Sequence, residues 1–304
     1  MDLSIELFGK RLDNPIFTAS GCFACGREAS AYQDLKAWGG LVSTAITREE
    51  RLGNPGPRVC ETASGLLNSV GLQNPGIDYF LMHDLPFMLE EANATIVNVA
   101  GSLTEDYVYL CEKLDDTDIF AIELNLSCPN VKHGGMAIGT HCDLLENTVS
   151  ACRKVTSKPL IAKLTPNITD ITEAARAAES GGADAISLVN TFLGMAIDLK
   201  TQRPVLKNNT GGLSGPCIKP LALRMVADVY RSVSIPVIGL GGITCGKDIL
   251  EFMLAGARVV QVGSANFAHP HLIDSLRKEM REEMDALEIS SLDAWIGSLN
   301  YWKS

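Results

Sequence analysis

Three observations predict a closed (β/α)8 barrel. Short apolar runs alternate with longer amphipathic segments, eight times along the 304 residues. The runs are near-continuous in Val, Ile, Leu and Ala, as in parallel strands covered on both faces. Eight such units over about 250 residues suit a closed barrel better than an open sheet. An open, doubly wound sheet is the alternative. It usually carries a glycine-rich turn after its first strand, and Ala19-Ser-Gly-Cys-Phe23 is not G-x-G-x-x-G.

The elements follow in order. Residues 1–13 read as a hairpin, with Ser4–Phe8 alternating and Gly9-Lys10 as the turn. Candidate strands are Pro15–Ala19, Gly40–Ala45, Ala94–Ala100 and Ile119–Asn125 in the first half, then Pro159–Leu164, Ala185–Asn190, Pro236–Leu240 and Val259–Val262. Helix-like stretches lie between them at Ile77–Ala92, Glu105–Leu114, Leu144–Val155, Ile171–Ser180, Pro220–Ser232 and Ile249–Ala255. Thr169-Asp170 and Gly246–Asp248 have the chemistry of helix starts, and Gly181-Gly182 and Gly256 that of stops. A last helix, Leu272–Glu288, is charge-rich and reads as an outer, solvated element.

Two connections are too long for plain loops: residues 46–76, with Gly53-Asn-Pro-Gly-Pro57, and residues 191–218, with Gly211-Gly-Leu-Ser-Gly215. Both follow strands, so both belong over the carboxyl-end face, where long connections shape a binding site or a lid. No linker or repeat divides the chain, which predicts one domain over residues 1–304.

Composition narrows the function classes. A net charge of −10 argues against nucleic acid or an anionic membrane as partner. Met1-Asp-Leu-Ser-Ile-Glu6 opens without a basic, then apolar, leader pattern, and no apolar run approaches bilayer length. A cytoplasmic enzyme is expected. Nine cysteines are scattered rather than framed as disulfides. Only Cys22 and Cys25 have ligand-like spacing, and no second C-x-x-C completes a metal site. Two small loop residues are the plainer reading, a redox pair the sharper one.

The residues suited to chemistry gather at strand ends. The run Ile119–Ile122 breaks into Glu123-Leu-Asn-Leu-Ser-Cys-Pro-Asn130, followed by Gly134-Gly135. A cysteine in a polar turn between two asparagines is a candidate reactive group, although cysteine is often simply buried. His133 is the one histidine in that loop. Glycine clusters at Gly239-Leu-Gly-Gly242 and Gly263-Ser-Ala265 fall after the last two strands, where barrels commonly bind phosphate. Ser214-Gly215 is a candidate third side. Lys163 ends an apolar strand and needs an anionic partner. It either forms a Schiff base, sits beside a flavin, or snorkels to solvent. Asn68, Asn125, Asn130 and Asn190 stand where strands hand over to loops; converging amides suit a planar heterocycle.

These residues resemble the class 1 dihydroorotate dehydrogenases, most closely the catalytic subunit of the NAD-linked class 1B enzymes. The likeness rests on Arg51–Arg58, Leu67–Pro75, Glu123–Gly135, Ala162–Asn167, Gly212–Pro216, Gly241–Ile243 and Ile296–Leu299. It implies an FMN-binding barrel that oxidises dihydroorotate to orotate in pyrimidine biosynthesis, with Cys128 as the base. By the same resemblance Asn68, Val70, Gly71, Leu72, Asn125, Asn130, Asn190 and Thr191 contact substrate. Ala19, Ser20, Thr44, Asn98, Asn125, Lys163 and Val189 contact FMN, with Gly215, Gly241, Gly242, Gly263 and Ser264 around its ring and phosphate. It further implies a homodimer and a second subunit carrying FAD and a [2Fe–2S] cluster. One departure stands out: Thr44 occupies the place of a lysine that the family sets near the flavin and the substrate carboxylate. A relative acting on another substrate is the corresponding alternative.

Overall fold

The computed structural model describes residues 1–126 and 138–302. Eight parallel strands form one sheet: β1 Ile16–Thr18, β2 Leu41–Val42, β3 Thr95–Val99, β4 Ala121–Asn125, β5 Leu160–Lys163, β6 Ala185–Leu188, β7 Val237–Leu240 and β8 Ala257–Val262. Their spatial order is β1-β8-β7-β6-β5-β4-β3-β2. A parallel bridge between Phe17 and Gly40 joins the two ends, and the Val42 N–H donates to Thr18 Oγ1 at 2.9 Å. The sheet is thus a (β/α)8 barrel. Every residue of β3 and β4 is buried, because helices cover the outside while side chains fill the inside. A fully buried Leu or Ile stabilises such a wall by about 1.5–3 kcal/mol.

The longer helices are residues 77–91 (α1), Thr104–Asp115 (α2), Cys142–Arg153 (α3), Ile171–Ser180 (α4), Lys219–Tyr230 (α5), Gly246–Leu254 (α6) and Leu272–Ala286 (α7). The first contains a π turn at Phe80–Asp84. Asp170 caps α4 by accepting from the Thr172 N–H. Asp248 serves α6, accepting from the N–H groups of Thr244 and Cys245. Gly256, at φ 119°, follows α6 where a side chain would run into Tyr230. The charge-rich α7 is amphipathic: Leu272, Ile273, Leu276, Met280 and Met284 are buried.

Some expectations need correction. The hairpin of Ile5–Leu7 and Lys10–Leu12 turns at Phe8-Gly9, both at positive φ, so Lys10 lies in the strand. Strand β2 is two residues long rather than the expected Gly40–Ala45. The two long connections, by contrast, are structured as their length predicted. Val59–Thr62 and Gly65–Asn68 from the first pair with Gly211–Ser214 and Phe192–Gly194 from the second in an antiparallel four-stranded sheet. This roof stands over the carboxyl ends of the barrel strands and belongs to two segments far apart in sequence. Among the described residues, no helix is long and apolar enough to cross a membrane.

Candidate active site

Roof and barrel enclose a cavity of about 1420 Å3, larger than the roughly 300–1,000 Å3 of a single-ligand pocket. Its described lining includes the cations Arg51, Lys163 and Lys207 and no carboxylate. In a chain of net charge −10, that is a local reversal of sign. Such a cavity draws in anions.

At one end, three backbone turns meet. Gly241 and Gly242 follow β7, Gly263 and Ser264 follow β8, and Gly215 precedes α5; all line the cavity. Gly215, Gly241 and Gly242 have φ of 106°, 125° and 79°, conformations that favour glycine. A Cβ on Gly242 would stand 2.8 Å from the Gly215 carbonyl oxygen and 2.9 Å from the Lys219 nitrogen. Only bare backbone fits there, as a phosphate cradle requires. Behind it, Lys219 pairs with Asp248 at 2.6 Å and Glu251 at 2.8 Å, joining the starts of α5 and α6.

The barrel floor is polar. Glu123 on β4 is wholly buried. Its Oε1 accepts from Lys163 Nζ at 3.1 Å and Asn98 Nδ2 at 2.6 Å; its Oε2 accepts from Ser187 Oγ at 3.0 Å and Gln261 Nε2 at 2.6 Å. Burial pushes the Glu123 carboxyl up, but the Lys163 charge and the amide bonds outweigh it and hold it below its ordinary range. Lys163 is 5% exposed in its side chain, so it does not snorkel. Its ion pair also counts against a Schiff-base role, which needs a neutral amine.

The side wall carries the amides. Asn125 ends β4, and its carbonyl accepts from the buried Tyr107 hydroxyl at 2.8 Å, which pins the strand end. Asn190 follows β6 and reaches Asn125 Oδ1 at 3.4 Å. Asn68 is not at a barrel strand end; it ends a roof strand and donates to the Gly212 carbonyl. Val70, Gly71, Leu72, Val189 and Thr191 line the same cavity. Ala19, Ser20 and Thr44 line it near the first two strands. Asn98 lies within the Glu123 cluster and is not among the residues that line the cavity.

Thr44 is half-buried, with its N–H on the Ala24 carbonyl. Arg48 does not stand in for the missing lysine: its guanidinium stacks 4.3 Å from the Tyr109 ring and lies outside the lining. Among the described residues, Arg51 and Lys207, both on the roof connections, are the cations that reach the cavity besides Lys163. Cys22 lines the wall, and burial pushes its thiol up to about 11 against the pull of Lys163. Burial, with Asp84 and Glu28 nearby, pushes the Cys25 thiol up to about 12. Neither is a ready thiolate at neutral pH, which counts against the redox-pair reading. Cys128, Asn130 and His133 lie outside the described residues.

Sequence reasoning missed Glu123, Ser187, Gln261 and Asn167 as site residues. Asn167 bonds the Thr191 carbonyl and the Leu193 N–H, anchoring the start of the second roof segment. The signal for the first three was the one that exposed Lys163: a polar residue interrupting an apolar strand.

Comparison with known proteins gives a consistent picture. The family model described as dihydroorotate dehydrogenase matches residues 2–284. A Listeria monocytogenes protein named "Dihydroorotate dehydrogenase B (NAD(+)), catalytic subunit" is 50% identical over 291 residues, covering 95% of this chain and 96% of its own. Proteins of the same name from Alkaliphilus oremlandii and Thermoanaerobacter pseudethanolicus are 49% and 50% identical, each covering 98% of this chain and 99% of their own.

Proposed function

The chain belongs to the dihydroorotate dehydrogenase family, and we propose that it is the catalytic subunit of an NAD-linked enzyme that oxidises dihydroorotate to orotate on bound FMN. It is an oxidoreductase acting on a CH–CH bond, in a flavin-dependent family. The observation that carries the FMN reading is the pairing of a bare-backbone cradle with a buried, unpartnered acceptor. Gly242 has no room for a side chain, and Gln261 Oε1 on the cavity floor has no hydrogen-bond partner among the described residues. A phosphate suits the first and the N–H of a planar ring the second. Three cations and no acid among the described lining suit a phosphorylated cofactor and a carboxylate substrate together.

Within this reading each residue has a task. FMN, when bound, supplies the acceptor for the hydride that leaves C6 of dihydroorotate. Cys128 is the base that removes the proton from C5, a task for which a thiol of ordinary pKa ~8.5 must give up its proton at least transiently. Asn125 and Asn190 from the wall, with Asn68 and Thr191 from the roof, hold the planar ring by its amide edges. Lys163 holds its ammonium on the floor, and the roof excludes water. A partner subunit carrying FAD and a [2Fe–2S] cluster would supply the route by which the electrons reach NAD. The catalytic subunit itself is a homodimer in this reading.

The direct test is anaerobic. Flavin-loaded protein mixed with dihydroorotate should lose its yellow absorbance within minutes and yield orotate. Flavin that stays oxidised would refute the substrate assignment.

A further inference from the structure

The Glu123 cluster does more than bury a charge. A carboxylate only accepts hydrogen bonds, and it has about four places to do so. All four are taken, by side chains from four other strands: Asn98 on β3, Lys163 on β5, Ser187 on β6 and Gln261 on β8. Each amide that faces the carboxylate must present its NH2, so its carbonyl oxygen must face away. For Gln261, 1% exposed and lining the cavity, that oxygen is left without a partner. Beside it, Lys163 uses one of its three N–H groups on Glu123. The floor therefore shows an acceptor and a cationic donor held by the two oxygens of one carboxylate, both with their polarity dictated from below.

We propose that Glu123 is a positioning residue that fixes this polarity, so that the floor selects a ring edge with an N–H next to an anionic or carbonyl oxygen. Its negative charge also offsets part of the Lys163 charge and so restrains how far the floor favours a reduced, anionic ring. The inference rests on the FMN reading above. An imide edge of a flavin has this N–H and oxygen pattern, and replacing that N–H by N–CH3 removes the donor that Gln261 accepts.

The test compares FMN with 3-methyl-FMN on the apoprotein and measures the two-electron midpoint potential of the reconstituted protein. The unaltered protein should prefer FMN by at least tenfold. Glu123→Gln frees the Gln261 amide to turn over, so that preference should fall at least tenfold. The reduced-to-oxidised ratio should rise at least tenfold at equal applied potential, about 30 mV for a two-electron couple. Glu123→Asp keeps the charge and should recover part of both effects. A Glu123→Gln protein with unaltered preference and potential overturns the proposal alone. An unaltered protein that does not bind FMN overturns it together with the cofactor assignment. Should Glu123→Gln not fold, Gln261→Leu decides: loss of the preference supports the proposal, and an undiminished preference overturns it.

Discussion

Lys219 Nζ lies 2.6 Å from Asp248 Oδ1, across the gap between the first turn of α5 and the first turn of α6. Gly215 and Gly242, two walls of the phosphate cradle, lie just ahead of those turns, and a Cβ on Gly242 would stand 2.8 Å from the Gly215 carbonyl oxygen. Lys219→Met should leave Asp248, which is 6% exposed in its side chain, without its cation. The cost should be about 2 kcal/mol in urea unfolding, below the roughly 3–5 kcal/mol for a fully buried pair, and FMN should dissociate more readily. Unchanged affinity would show that the cradle holds its shape without the strap.

Gly212 tests the roof. A Cβ there would run into the Thr191 side chain. Gly212→Ala should raise the KM for dihydroorotate roughly tenfold, about 1.4 kcal/mol, and leave FMN affinity within twofold. Steady-state kinetics beside flavin titration separates the two.

Thr44 tests the substrate's charged end. Thr44→Lys adds a cation at a half-buried place on the lining. A hydrogen bond to a charged group contributes about 1.5–3 kcal/mol, so orotate should bind at least tenfold more tightly. Titrating the flavin spectrum with orotate measures it; equal affinity would mean that Arg51 and Lys207 already satisfy the carboxylate.

Cys128→Ala should slow flavin reduction by dihydroorotate about 10²–10⁴-fold, the usual worth of a positioned base. Flavin content should not change. Stopped-flow absorbance under anaerobic conditions reads the rate directly.

Stability should depend on acid through Glu123. Its folded pKa lies below the ordinary 4.5, so the folded state binds fewer protons than the unfolded one. The contribution is fully present above about pH 4.5 and fades as pH falls through the lower, folded value. Thermal unfolding from pH 6 to pH 3 should show this loss, and Glu123→Gln should flatten that part of the curve.

The barrel was legible because its strands are apolar on both faces and its helices are capped by readable residues. Ile171–Ser180 matches the predicted helix residue for residue. The roof was not legible. Val59–Thr62 and Gly65–Asn68 alternate only weakly, and their partner strand carries Gly211-Gly212, which reads as a loop. Its pairing spans 144 residues between Asn68 and Gly212, and no local pattern reports such a distance. The polar floor was half legible. Lys163 announced itself as an isolated cation in an apolar strand, but its partner is a residue type that also ends many strands, and only the closed barrel brings the two together.

The roof has one more consequence. Gly241, Gly242, Gly263 and Ser264 of the cradle follow barrel strands, and Gly215 is where the second roof segment hands over to α5, whereas Asn68 and Thr191 come within the two segments that build the roof. Chemistry and recognition are thus written in separable stretches of the chain. A descendant with altered roof segments would keep its flavin and its electron route while changing what it oxidises, so new specificities on this scaffold can arise without passing through an inactive ancestor.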